Sequence, residues 1–295
     1  MLDHNHLRLF EQARPNLMGL SYRILGSRAD AEDAVQDTFV KWTRAERAGI
    51  EEPAAWLTTA CTRRCLDLLR AANRARVDYV GTWLPEPIQT PVAAEAERGL
   101  ELASSLTTAF LLLLERLTPK ERAAYLLHEI FELSYADIAE TLEIQESACR
   151  KLVSRAKANV GQAKVRHTTP VDRQDRLLAA FSAAIKEGET AQLADLLSDD
   201  IRLSADGGGK VPAIHDVLAG KADVMHFISE RLSKYWAGFE WMTADINGGR
   251  GVVLKNGGAT VGIVSFAYDE AGNACGIYIM RNPDKLADLS PFALQ

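Results

Sequence analysis

The run IQESACRKLVSRAKANV, Ile144 to Val160, carries Arg150, Lys151, Arg155 and Lys157 against a single acid, Glu146. Cations at helical spacing neutralise phosphates, and the first turns of such a helix can read base edges in a major groove. A helical hairpin with a solvated basic face has the same pattern. A second candidate is LSADGGGKVPA, Leu203 to Ala213, which resembles a phosphate-cradling loop. The full motif needs an earlier glycine and a Ser or Thr after the lysine; here Val211 follows Lys210, so nucleotide binding is not expected. A glycine triplet also suits a turn at a strand end, or the close approach of another backbone. Cys61 and Cys65 stand one helical turn apart with no partner His or Cys in sight, so no metal site and no cofactor are expected. Asp206, His215, Tyr235 and Tyr278 are the types an isomerase needs as base and oxyanion donor, but no motif gathers them. Phe227, Trp236, Trp241 and Phe266 read as a filled apolar core in preference to a ligand cavity.

The elements that must position these groups follow from periodicity. With 47% hydrophobic and 25% charged residues in 295, the chain is globular, with material for two or three compact units. A net charge of -6 excludes a uniformly basic coat but not a local basic helix. Four scattered cysteines and a start without a secretory pattern point to reduced thiols in the cytoplasm, and the apolar run AFLLLL is too short for a bilayer. From Leu7 to about Ala75 the pattern is helical, with Ala31, Ala34, Val35, Phe39 and Trp42 in one stripe. Pro85, Pro87 and Pro91 then forbid a helix and predict an extended linker. Helical periodicity resumes at about Glu95. Thr118 with Glu121 forms a capping box with Pro119 at the first helical position, Ser134 with Asp137 starts a second helix, and EIQES starts a third. That spacing predicts a helix-turn-helix. One further helical run follows RHTTP. Beyond about Asp199 short β-rich runs are punctuated by NGGRG, KNGGAT and DEAGNA, predicting an α+β unit with an antiparallel meander last.

RADAEDAVQDTFVKWTR, then EEPAAWLTTACTRRCLDLLRAANR, then the helix-turn-helix closely resemble bacterial sigma factors of the extracytoplasmic-function class, over about Leu7 to Arg166. The resemblance implies that the first segment docks on the clamp of RNA polymerase through Asp30, Asp33, Gln36, Asp37 and Phe39. Asp30, Asp33 and Asp37 share a helical side apart from the apolar stripe, which suits a basic partner. Helix-start acids serving the macrodipole account for Asp30 and Asp33 but hardly for Asp37. The second segment is implied to read and open the minus-ten element, with Arg63, Arg70 and Arg74 along one edge and Trp56 as a stacking surface, although Trp56 also lies in the apolar series Leu57, Cys61, Cys65 and Leu68. The helix-turn-helix is implied to read the minus-thirty-five element through Ser147, Arg150, Lys151, Ser154 and Arg155. Leu152 departs from the arginine-bearing pattern of many members and leaves the base preference open.

The remaining 125 or so residues resemble a SnoaL-like, nuclear transport factor 2-like cone. WLPEP (Trp83 to Pro87), DGGGK (Asp206 to Lys210) and NPDKL (Asn282 to Leu286) together look like subgroup 41 of the class, in which such a domain is a built-in regulator. The resemblance implies an interdomain contact among Trp83, Leu84, Pro85, Asp206, Gly207, Gly208, Gly209, Lys210, Asn282, Pro283, Asp284 and Lys285, with Asp206 and Lys210 pairing near the linker prolines and Trp83 and Leu84 burying against the extra domain or between the sigma domains. The expected organisation is all-α sigma domain 2 at 1–76, a linker at 77–105, all-α sigma domain 4 at 106–167 and the α+β cone at 170–295. The expected function is promoter-directed transcription initiation without enzymatic activity, autoregulated in cis. The expected partners are core RNA polymerase and promoter DNA, with no membrane, no separate anti-sigma factor and a monomer when free. The rivals are a conventional helix-turn-helix regulator fused to a small-molecule sensor or isomerase, and a purely enzymatic cone protein with a helical interaction module.

Overall fold

The computed structural model describes residues 4–46, 49–75, 79–90, 105–161 and 169–287. Two compact units emerge, each with its own core.

The first unit is helical. Helices α1 (His4–Leu25), α2 (Arg28–Arg44) and α3 (Pro53–Ala75) pack on one another. In α2 the side chain of Ser27 accepts from Asp30 N at 3.2 Å, and the stripe Ala31, Ala34, Val35, Thr38 and Trp42 is buried. Phe39 stands at the stripe's edge and stacks on Phe10 with ring centroids 4.7 Å apart. In α3, Leu57, Cys61, Cys65 and Leu69 face the core. Both thiols are fully buried and contact Ser21 Oγ, at 3.1 and 3.3 Å, so the pair serves packing.

Downstream of α4 (Thr108–Leu114), the helices α5 (Pro119–Glu129), α6 (Tyr135–Leu142) and α7 (Glu146–Gly161) complete this unit. The capping box forms: Thr118 Oγ1 accepts from Glu121 N, and Glu121 Oε2 accepts from Thr118 N at 3.0 Å. Ser134 Oγ caps α6 in the same way, accepting from Asp137 N at 3.2 Å. Glu143, at φ 52°, breaks the chain between α6 and α7 and makes the tight turn. Arg122 joins the two halves of the unit: almost fully buried, it donates to Ile24 O at the end of α1 at 2.7 Å and to Glu115 at 2.8 Å. A cation suits the last carbonyls of a helix.

The second unit is α+β. Helices α8 (Val171–Lys186) and α9 (Ala191–Leu196) lead into strand β1 (Leu197–Asp206). A two-residue strand β2 (Leu218–Ala219) follows, then α10 (Lys221–Phe227), a π-helical turn (Ile228–Leu232) and α11 (Ser233–Trp236). The meander β3 (Glu240–Ile246), β4 (Gly249–Asn256), β5 (Ala259–Tyr268) and β6 (Ala274–Met280) ends at the short helix α12 (Pro283–Leu286). The strand order is β2-β1-β6-β5-β4-β3. Asn247-Gly248 and Gly257-Gly258, all at positive φ, close the first two hairpins as their sequences require. Two features depart from the sequence expectation. The helical stretch from Lys221 to Trp236 interrupts the β-rich half, and β1 pairs with β6 in parallel while all other pairs are antiparallel. Parallel neighbours cannot be joined by a tight turn, and here the whole stretch from Asp206 to Ala274 forms the connection.

One face of the sheet buries Phe181, Ile201, Leu203, Trp236, Leu254, Val264 and Ile277 beneath the helices. On a second, smaller cluster Leu84 packs with Ile246, Val253, Ile263, Met280 and Leu286. Leu84 belongs to the proline-rich stretch 79–90, which is extended and lies on the sheet: Gln89 bridges Ile246, Thr90 N donates to Asp245 O at 3.0 Å, and Asn247 N donates to Ile88 O at 2.9 Å.

Candidate functional site

Three sequence stretches that lie far apart in the chain meet at Asp206, the last residue of β1. Its carboxylate is fully buried. Oδ1 accepts from Tyr79 OH at 2.5 Å and Gly208 N at 2.9 Å; Oδ2 accepts from Leu84 N at 2.9 Å and Lys285 Nζ at 2.8 Å. Lys285 also donates to Leu84 O at 2.7 Å, and its ammonium lies 4.4 Å from the Trp83 ring centroid and 5.1 Å from that of Tyr79. A buried charge persists only when paired and hydrogen-bonded, and this one has four donors, one of them a cation. The cation itself sits between two aromatic faces.

The other motif residues build the frame. Asn282 caps α12, its Oδ1 accepting from Asp284 N at 3.1 Å, while its Nδ2 donates to Tyr79 OH at 3.0 Å. Lys210, expected near the linker prolines, pairs instead with Asp284 at 2.5 Å, because the glycine turn carries it past the linker to α12. Gly207, Gly208 and Gly209 serve close approach. A Cβ on Gly208 would stand 2.4 Å from Asn282 Nδ2, and one on Gly209 would stand 3.0 Å from Val80. Gly208→Ala, with φ at 60°, is expected to destabilise this unit by about 1–3 kcal/mol, read as a lower urea midpoint with unchanged slope. Pro85 is buried with Leu84, and Pro283 occupies the first turn of α12.

Tyr79 is not flagged by the sequence. It lies four residues before Trp83 in a stretch with no motif, and the only signal is a tyrosine opening an otherwise extended run. Burial and the Asp206 carboxylate raise its phenol well above the ordinary tyrosine range, so it remains a donor at every physiological pH. Asn247 carries no such signal either: its Oδ1 accepts from Ile88 N at 3.2 Å and its Nδ2 donates to Leu106 O at 3.1 Å.

The residues of the types an isomerase needs do not converge. Asp206 is held by donors on both oxygens, and Tyr278 packs against the Leu84 cluster. Tyr235 lines one recess and His215 another.

In the helical unit, α7 turns Cys149, Val153, Ala156 and Val160 inward and leaves Ser147, Arg150, Lys151, Ser154 and Arg155 exposed on the opposite face. Arg150 pairs with Glu146 at 2.5 Å and lies 4.3 Å from the Tyr135 ring centroid; Arg155 is 3.8 Å from Glu121. All five side chains thus share one accessible face.

The second segment behaves differently. Arg63 donates from Nε to Thr141 O and from Nη2 to Glu140 O, each at 3.0 Å, and pairs with Glu143 at 3.1 Å, so it closes the C-terminal end of α6. Thr59 and Thr141 hydroxyls meet at 2.9 Å in the same contact. Arg70 is exposed and pairs with Asp67; Trp56 is half-buried with its ring 5.4 Å from that of Trp42; the Arg74 side chain lies outside the described residues. On α2, Asp33 and Gln36 are exposed and Asp30 is half-buried in the first turn. Asp37 pairs with Arg64 of α3 at 2.7 Å.

Two families match the helical regions. Sigma-70 region 2 covers residues 9–75, and Sigma-70, region 4 covers 107–160. Over nearly the whole length the chain is 33% identical to the ECF RNA polymerase sigma factor SigJ of Mycobacterium tuberculosis, covering 94% of this chain and 91% of that protein. The chain belongs to the ECF RNA polymerase sigma factors. This sigma factor is also 27% identical to a probable ECF sigma factor, SigI, of the same species, over 94% of its own length and 93% of the relative's. The crystal structure of SigJ superposes with a TM-score of 0.76 at 30% identity, covering 96% of this chain and all of that one, so the likeness includes the α+β unit. As a sigma factor, the protein binds core RNA polymerase and promoter DNA in transcription initiation. The rival readings as a conventional regulator or an enzyme are not favoured by these relatives. Among the described residues no helix is long and apolar enough to cross a membrane.

Proposed function

We propose that this sigma factor is of the subgroup 41 type and is regulated in cis by its SnoaL-like unit. The observation that carries the reading is the buried Asp206, which ties the linker, the glycine loop and the NPDKL helix into one cluster. A linker held on the sheet has fewer conformations than a free one, and the span between sigma domains 2 (1–76) and 4 (106–167) is set by how much of 77–105 is held. The regulator, covalently attached at 170–295, acts at high effective concentration, so no separate anti-sigma factor is required. The protein works as a cytoplasmic monomer until it meets polymerase.

Asp30, Asp33, Gln36, Asp37 and Phe39 are assigned to the clamp, with Asp33 and Gln36 the exposed members and Asp37 needing to exchange Arg64 for a polymerase cation. Arg63, Arg70, Arg74 and Trp56 are assigned to the minus-ten element; Arg63 must first leave the end of α6. The exposed face of α7 reads the minus-thirty-five element.

Run-off transcription with purified core polymerase tests this, comparing the full chain, a chain ending at Arg166 and one ending at Arg281. Core-dependent initiation whose level changes when residues from Asn282 onward are removed is the expected result. Equal output from all three would exclude regulation in cis. In the same assay Asp33→Ala is expected to weaken polymerase binding by about tenfold or more while helix content stays constant.

A further inference from the structure

Beside the Asp206 cluster the α+β unit contains a second, unassigned feature, a recess of about 610 Å³. It lies within the volume range of small-molecule sites. Phe227, Tyr235, Trp236 and Phe239 supply aromatic walls, and the polar lining includes two arginines, Arg231 and Arg281. The sequence pattern assigns Phe227 and Trp236, with Trp241 and Phe266, to a filled core. The core does form: Trp241 and Phe266 pack on Phe181, and the buried Trp236 meets Trp241 edge-on at 6.4 Å, but Phe227 and Trp236 also line the recess, which the core leaves unfilled.

Arg281 is the group that identifies an occupant. Its Nη1 donates to Pro212 O at 2.8 Å, and its Nε is buried with no hydrogen-bond partner. Among the described residues no carboxylate pairs with it, and burial alone lowers its proton affinity. A half-buried guanidinium with an unsatisfied N–H and no counterion is unfavourable unless an anion completes it. No Asp, Glu or His lines the recess, so it has no carboxylate or imidazole to act as a general base.

We propose that this recess is a binding site for a small apolar molecule bearing one carboxylate, its body against the aromatic walls and its anion on Arg281, with Arg231 as the second cation. This site does not depend on regulation in cis. It does adjoin the same cluster: Arg281 N donates to Asp206 O at 2.7 Å, Asn282 follows directly, and Pro212 lies two residues beyond Lys210. Any ligand that moves Arg281 therefore acts on the backbone of the cluster itself.

Isothermal titration of the full chain with decanoate and 2-naphthoate, against decanol and decyltrimethylammonium, tests the proposal. Saturable one-to-one binding of at least one acid is expected, about tenfold or more tighter than either uncharged or cationic control. Arg281→Gln should abolish that preference and Arg281→Lys should restore part of it; Arg231→Gln provides a second variant, expected to weaken acid binding while leaving decanol unchanged. Equal affinity for decanoate and decanol, failure of both acids to saturate below about 1 mM, or an Arg281→Gln protein that is folded and still prefers the acid would each overturn the assignment.

Discussion

Asp206→Ala is expected to lower the thermal midpoint of the α+β unit by about 6–20 °C and to release the proline-rich stretch from the sheet. Removing one member of a buried ion pair costs about 3–5 kcal/mol, because the partner charge stays behind unpaired. Here Lys285 would remain between two rings without the carboxylate that pairs with it, and Tyr79 OH, Leu84 N and Gly208 N would each be left without this acceptor. At about 2–4 °C per kcal/mol for a domain of this size, the midpoint shift follows. Tryptophan emission reports it, since Trp83 lies against Lys285. The double variant Asp206→Ala with Lys285→Met separates charge from packing. It is expected to recover roughly half of the loss, because an apolar pair leaves no orphan charge. A midpoint within about 1 °C of wild type for Asp206→Ala would mean that the carboxylate does not hold the cluster.

The second large effect belongs to α7. Replacing Arg150, Lys151 and Arg155 together by alanine is expected to weaken holoenzyme binding to a promoter selected by the wild-type protein by about 100-fold or more, since each phosphate or base interaction contributes about 1–3 kcal/mol. The salt dependence should fall with it, by about one unit of slope for each phosphate no longer neutralised. Helix content should not change, because these side chains share the exposed face and Cys149, Val153, Ala156 and Val160 keep the buried one. Fluorescence anisotropy over a salt series reads both quantities. A triple variant with wild-type affinity and slope would remove α7 from the promoter.

Capping chemistry makes the helix starts legible. Thr118, Ser134 and Pro119 are local signals, and local signals survive folding because the groups they satisfy are neighbours in sequence. The same holds for Asn247-Gly248 and Gly257-Gly258, whose turns depend on their own φ angles. The helical stretch at Lys221 to Trp236 is not legible, being a short helix with its caps unfilled by side chains and a π turn in its middle. At the functional cluster the motifs can be quoted from the sequence, but their partners cannot. Nothing in DGGGK says that its lysine meets Asp284, because that pairing depends on the register of β1 against β6. Arg63 shows the limit from the other side: its helical spacing with Arg70 fits a DNA edge, yet in this structure the carbonyls at the end of α6 claim it first.

The distance in sequence between the members of the Asp206 cluster also orders events during synthesis. Tyr79 and Asn282, joined at 3.0 Å, are 203 positions apart. At about 5–20 residues per second, the ribosome finishes the linker roughly 10–40 s before it makes the residues that hold it. The helices of both sigma regions, complete by Gly161, precede the NPDKL helix by most of that interval. Each new molecule therefore spends its first seconds with the proline-rich stretch undocked, and the proposed regulation in cis begins only when β6 and the NPDKL helix leave the ribosome.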